Sequence, residues 1–260
     1  MSLTTILCQV EPGDAAMLDA SVATPFALAE AHGAQLTALV FGVEAEHTIA
    51  AEEQAAAMVR AAAERRGIPC ETRSRSSFAY GVGDVFADHL RVSDLGVVVT
   101  RAGGGAVQRL MLGAAIFDSG RPVLVVQQQH PLEAMPARVV IAWDATPACV
   151  RAVHGAMPFI RRAAETLVVT VTDDKELRAG QSGIELTHLL ARHGATARFT
   201  AVPRAGGGVP EAVLGAAPGG PGQMLVMGAV RHAPLHNIVF GSATQELFDR
   251  GPRLPTLVAA

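Results

Sequence analysis

The sequence predicts an α/β protein made of two tandem Rossmann-like domains, each a five-stranded parallel sheet flanked by helices. Three observations predict it. The chain repeats itself at domain length, each half alternates short apolar runs with helical stretches, and the apolar runs lack the period of a half-exposed strand.

The repeat sets the domain organisation. Residues 5–14 read TILCQVEPGD and residues 138–147 read RVVIAWDATP. Each is an apolar run closed by an acid, followed by a turn and a helical stretch. Glu11 and Asp144 fall in register 133 positions apart. The halves also end alike, with FDSGRPVLVV at 117–126 and FDRGPRLPTLVA at 248–259. Both leave a helix on Phe-Asp, turn through Gly and enter an apolar strand after Pro. A period of ~130 residues is the size of a domain. The stretch 127–136, QQQHPLEAMP, is polar and carries prolines, as a linker does. The domains are therefore expected at residues 1–130 and 137–260.

The element reading follows the apolar runs. In the first half, strands are expected near 3–10, 35–42, 69–75, 95–100 and 122–127, with helices near 14–32, 48–66, 82–92 and 107–119. In the second half, strands are expected near 138–143, 166–172, 196–202, 223–228 and 254–259, with helices near 147–163, 181–193, 209–217 and 242–250. Gly96-Val97-Val98-Val99 and Leu167 to Val171 show no alternation, so they read as strands covered on both faces. Strand–helix alternation of this kind implies right-handed crossovers and a doubly wound sheet. Ligands of such sheets sit past the carboxyl ends of the strands, where the strand order reverses. Chemistry is thus expected after the first strand of each half, at Glu11 and Asp144, and after the fourth, from Thr100 and from Gly228.

Composition narrows the function classes. Half of the residues are hydrophobic, 17% are charged and 4% are aromatic, so Ala, Val and Leu must fill the cores. The net charge is -3 and no basic block occurs, which argues against a nucleic-acid partner. Lys175 is the only lysine, which disfavours P-loop and Schiff-base chemistry. Cys8, Cys70 and Cys149 are far apart and odd in number, as expected of reduced cytoplasmic thiols. No run reaches the ~18 apolar residues of a membrane span, and the first ten residues do not read as a signal peptide.

Residues 227–246, MGAVRHAPLHNIVFGSATQE, hold the densest signal. They follow a strand, and Gly241-Ser242 opens a helix, which offers backbone N–H groups to an anion. Ser242 also suits a helix N-cap. This pattern resembles the universal stress protein family, whose ATP-binding members carry Gly, two residues, Gly, nine residues, Gly, then Ser or Thr between the fourth strand and fourth helix. Gly228, Gly241 and Ser242 match three of the four marked positions, and Arg231 stands at the second Gly. The family's acid after strand 1, which meets the adenosine part of the nucleotide, corresponds to Asp144 in VVIAWDATP. The resemblance covers the chain as two copies and implies an adenine nucleotide alpha hydrolase-like fold. It implies ATP or another adenine nucleotide as cofactor, with Asp144, Gly228, Arg231, His232, Gly241, Ser242 and Ala243 around it.

Arg231 is where the sequence departs from the pattern. A glycine there would permit positive φ and close backbone approach to phosphate. A non-glycine residue in that region costs roughly 1–2 kcal/mol, against roughly 1.5–3 kcal/mol for a charge-assisted bond from an arginine to phosphate. The first half departs further, with Glu11 as the acid, Gly103 to Gly105 expected as a turn, and Gly113-Ala114-Ala115 where Gly-Ser would stand. It reads as the degenerate copy.

Other candidates are weaker. His232 and His236 have helical spacing for a metal, but Pro234 interrupts them. Asp173 and Asp174 read as a solvated turn, and Gly180-Gln181-Ser182-Gly183 lacks a nucleophile elbow. His154 and His188 read as helix-surface residues. The expected function is a non-catalytic, cytoplasmic stress-response protein that binds an adenine nucleotide through its second half. A nucleotide-independent interaction module and a weak ATPase are the alternatives. The fifth strands, Val123 to Gln127 and Thr256 to Ala260, are apolar edges expected to pair the two halves as a pseudo-dimer, with further homo-oligomerisation open.

Overall fold

The computed structural model describes residues 2–43, 48–77, 81–101, 103–132, 135–173, 180–204, 208–217, 222–232, 239–240 and 242–260. The chain divides into two compact units, Met1–Ala134 and Met135–Ala260.

The first unit runs β1 (Thr5–Val10), α1 (Ala15–His32), β2 (Gln35–Val43), α2 (Ile49–Arg65), β3 (Cys70–Ser77), α3 (Val82–Leu90), β4 (Leu95–Thr100), α4 (Gly105–Asp118) and β5 (Val123–Gln127). Its strands are parallel in the order β3-β2-β1-β4-β5. The second unit runs β6 (Arg138–Ala142), α5 (Pro147–Ile160), β7 (Glu165–Val171), α6 (Gly180–Arg192), β8 (Ala197–Val202), α7 (Val209–Ala216), β9 (Gln223–Gly228), β10 (Arg231–His232), β11 (Val239–Phe240), α8 (Ser242–Arg250) and β12 (Thr256–Ala259). Its main strands are parallel in the order β8-β7-β6-β9-β12. Each unit therefore reverses strand order between its first and fourth strand, as the doubly wound reading requires.

Local chemistry sets the helix starts. Asp14, Thr48 and Thr146 are N-caps whose side chains accept from Met17 N at 2.9 Å, Ala51 N at 3.2 Å and Cys149 N at 3.2 Å. Pro147 follows Thr146 at the first helical position, where its missing N–H costs nothing. Helix α4 begins at Gly105, two residues before its expected start, through a turn in which Gly103 and Gly105 have φ of 73° and 67°. The short antiparallel pair β10–β11 was not expected; two-residue strands leave no periodicity to read.

The central strands are covered on both faces, and Val97, Val98, Leu124, Val139, Ile141, Leu167 and Val168 are fully buried. Strand β3 differs. Its sequence CETRSRSS places Arg73 and Arg75 on an edge, which discourages pairing with another chain.

Candidate nucleotide-binding site

Asp144 lies at the carboxyl end of β6. The preceding Trp143 is buried and anchored twice, its N–H donating to Val169 O at 2.8 Å and its carbonyl accepting from Thr170 Oγ1 at 3.0 Å. Asp144 Oδ1 accepts from Thr146 N at 3.0 Å and from Thr146 Oγ1 at 2.7 Å. The carboxylate is thus fixed to the start of α5. Between them, Ala145 has φ of 57°, the one non-glycine positive φ among the described residues. Thr146 is not among the residues the resemblance singles out, although a Thr before Pro at a helix start is a readable cap.

Gly228 ends β9, the neighbour of β6, one position beyond the Ala142–Met227 register pair. A Cβ on Gly228 would lie 2.5 Å from Cys149 N and 2.9 Å from Cys149 Cα and Ala148 C. The first turn of α5 therefore rests directly on the end of β9, and only glycine fits. The structure brings Asp144 and Gly228 to one crevice at the switch point. Cys149, in the same turn, is no nucleophile: burial pushes its thiol up to about 12, and it donates to Ala142 O at 3.2 Å.

Arg231 corrects the sequence argument. It pairs with Phe240 in the β10–β11 ladder, and its φ is not positive. The left-handed cost assigned to Arg231 from sequence is absent, because the chain crosses this position as extended strand. His232 pairs with Val239 in the same ladder. Helix α8 begins at Ser242 itself, with Ala243 next. Gly241 and His236 lie outside the described residues.

The first unit's crevice is bridged by an ion pair. Glu11 follows β1 and Arg101 follows β4, and the two side chains form an ion pair across the switch point. Gln9 Nε2 donates to the other Glu11 oxygen at 3.0 Å. Met17, Ser21, Val99 and Gln128 complete a cavity of about 20 Å³, room for about one water molecule. No local signal ties Glu11 to Arg101, which are 90 positions apart.

The remaining candidates have structural settings. Asp173 Oδ1 accepts from Arg204 N at 2.7 Å, and Asp174 lies outside the described residues. His154 and His188 sit on α5 and α6, with His188 3.6 Å from Glu185. Among the described residues no group of three or more His, Cys, Asp or Glu side chains could hold a metal.

Five parallel strands in each unit, with a switch point between the first and fourth, define the class of doubly wound α/β folds that take ligands at that crevice. Within that class, the fold is the one seen in universal stress protein structures. The chain matches one from Archaeoglobus fulgidus DSM 4304 at 13% identity, over 98% of this chain and 97% of that one, with a TM-score of 0.75. It also matches a protein of unknown function from Pseudomonas aeruginosa PAO1 at 14% identity, over 99% and 92%, with a TM-score of 0.58. No protein-family model and no curated protein matches the sequence.

Proposed function

We propose that the chain is a two-domain universal stress protein that binds an adenine nucleotide, ATP, ADP or AMP, in its second unit and does not turn it over. The observation that carries this reading is the meeting of Asp144 and Gly228 at one switch point, in a fold shared over nearly the whole chain with a universal stress protein. Asp144 would receive the adenosine part. The β10–β11 segment would bring Arg231 and His232 toward the phosphates, and Gly241, Ser242 and Ala243 would present N–H groups at the start of α8. Arg231, being extended, needs no glycine to hold its backbone. The free state of Cys8, Cys70 and Cys149 fits the proposed cytoplasmic setting. No helix among the described residues is long and apolar enough to cross a membrane.

Trp143 is the single tryptophan and adjoins Asp144. Its fluorescence should respond saturably to ATP, ADP or AMP in wild type, and Asp144→Ala should abolish the response. Arg231→Gly should bind no tighter than wild type. Calorimetry without heat at millimolar nucleotide would overturn the proposal, and phosphate release above background in wild type, lost in Asp144→Ala, would favour the ATPase. A nucleotide-independent interaction module is the second reading, and the bridging of the first crevice by Glu11 and Arg101 supports it.

A further inference from the structure

The two units differ on the sheet face opposite their first helix. In the first unit, α3 and α4 touch: a Cβ on Gly83 would lie 2.9 Å from Leu110 O and from Ala114 Cβ. In the second unit, the corresponding space between α7 and α8 is open as a cavity of about 50 Å³. Its floor is Ala142, Leu225 and Met227, from the ends of β6 and β9, and its α7 wall is Val209, Val213 and Leu214. Gly228 faces α5 on the other side of the sheet, so this cavity is separate from the crevice of Asp144.

Three polar side chains, Glu246, Arg253 and Thr256, interrupt the apolar lining. Glu246 projects from α8 with its side chain only 19% exposed, and its Oε1 is buried without a hydrogen-bond partner. Oε1 lies 3.0 Å from the Arg253 guanidinium as an ion contact only, and the same Arg253 nitrogen donates to Glu211 Oε1 at 3.0 Å. Two carboxylates thus share one guanidinium nitrogen, and the buried Glu246 oxygen has that ion contact without a hydrogen bond. A buried acceptor in that state is costly, and a ligand that donates to it recovers the cost. Apart from Glu246, Arg253 and Thr256 the lining is apolar.

We propose that this cavity binds a small amphipathic amine, whose short or branched alkyl end fills the space between α7 and α8 and whose ammonium group donates to Glu246. Size and charge select this class. A cavity of about 50 Å³ is a third of the roughly 150 Å³ that admits benzene, so a few carbons fit and a ring does not. Carboxylate acceptors outnumber the guanidinium they share, which favours a cation over an anion. The inference stands apart from the nucleotide reading and uses none of its residues.

The test titrates the full chain with isopropylamine, isopropanol and isobutyrate, reading the methyl resonances of Val213 and Leu225 by NMR. Saturable shifts are expected with isopropylamine in the millimolar range, about tenfold tighter than with isobutyrate. Glu246→Gln should bring the amine to the affinity of the alcohol, and Val209→Phe, which fills the cavity from its rim, should abolish the shifts for all three. The absence of saturation with every probe, equal affinity for isobutyrate, or undiminished binding by Val209→Phe in a folded protein would each overturn the proposal.

Discussion

Ala145 carries backbone strain at the one place where the second unit concentrates polar geometry. With φ of 57° it sits in the left-handed region, exposed, between Asp144 and the cap Thr146. A non-glycine residue there costs roughly 1–2 kcal/mol, of which glycine would return part to its own unfolded-state entropy. Ala145→Gly should therefore stabilise the protein by about 0.5–1 kcal/mol, seen as a higher urea midpoint at unchanged slope. An unchanged or lower midpoint would mean that the Asp144–Thr146 bonds do not hold this turn. Gly228 is the opposite case. Its missing side chain is required by backbone 2.5 Å away, which cannot swing aside as a side chain would. Gly228→Ala should cost about 2–3 kcal/mol and displace the first turn of α5. Loss of nucleotide binding in that variant must therefore be read beside its unfolding curve.

At the scale of elements, the alternation of apolar runs and caps makes nearly every strand and helix legible from sequence. Thr146-Pro147 starts a helix and Leu167 to Val171 forms a buried strand for reasons local to those residues. What stays illegible is set by partners far along the chain. Arg231 invites a left-handed reading because a glycine stands there in the resembling pattern, whereas its pairing with Phe240 makes it strand. Asp94 looks like an ordinary turn acid, yet its Oδ2 accepts from Thr4 N, Thr4 Oγ1 and Thr5 N at 2.9, 2.6 and 3.0 Å, pinning the start of β1 beside β4. Burial would raise its pKa, but the hydrogen bonds from Thr4 and Thr5 outweigh burial and hold it below the ordinary aspartate value. A pKa lowered by folding gives stability that is present above the unfolded value, about 3.9, and is lost as pH falls through the folded one. Asp94→Asn should thus be less stable than wild type by about 1 kcal/mol at pH 7, with the gap closing in acid. A gap constant down to pH 2 would show that the charge is not what matters.

At the scale of the molecule, two copies of one fold have diverged at the same place. The acid after the first strand is held differently in each. Asp144 spends one oxygen on its own helix cap, whereas Glu11 has one oxygen on Arg101 and the other on Gln9. The exposed Glu11–Arg101 pair adds little stability, since such pairs contribute about 0–1 kcal/mol, yet it bridges the ends of β1 and β4. Duplication of the fold therefore does not imply duplication of the site. Under the nucleotide proposal, calorimetry should give one adenine nucleotide per chain. Asp144→Ala should remove it and Glu11→Ala should leave both stoichiometry and affinity unchanged. Two sites per chain, or a loss on Glu11→Ala equal to that on Asp144→Ala, would show that the ion pair opens to admit ligand and that both crevices bind.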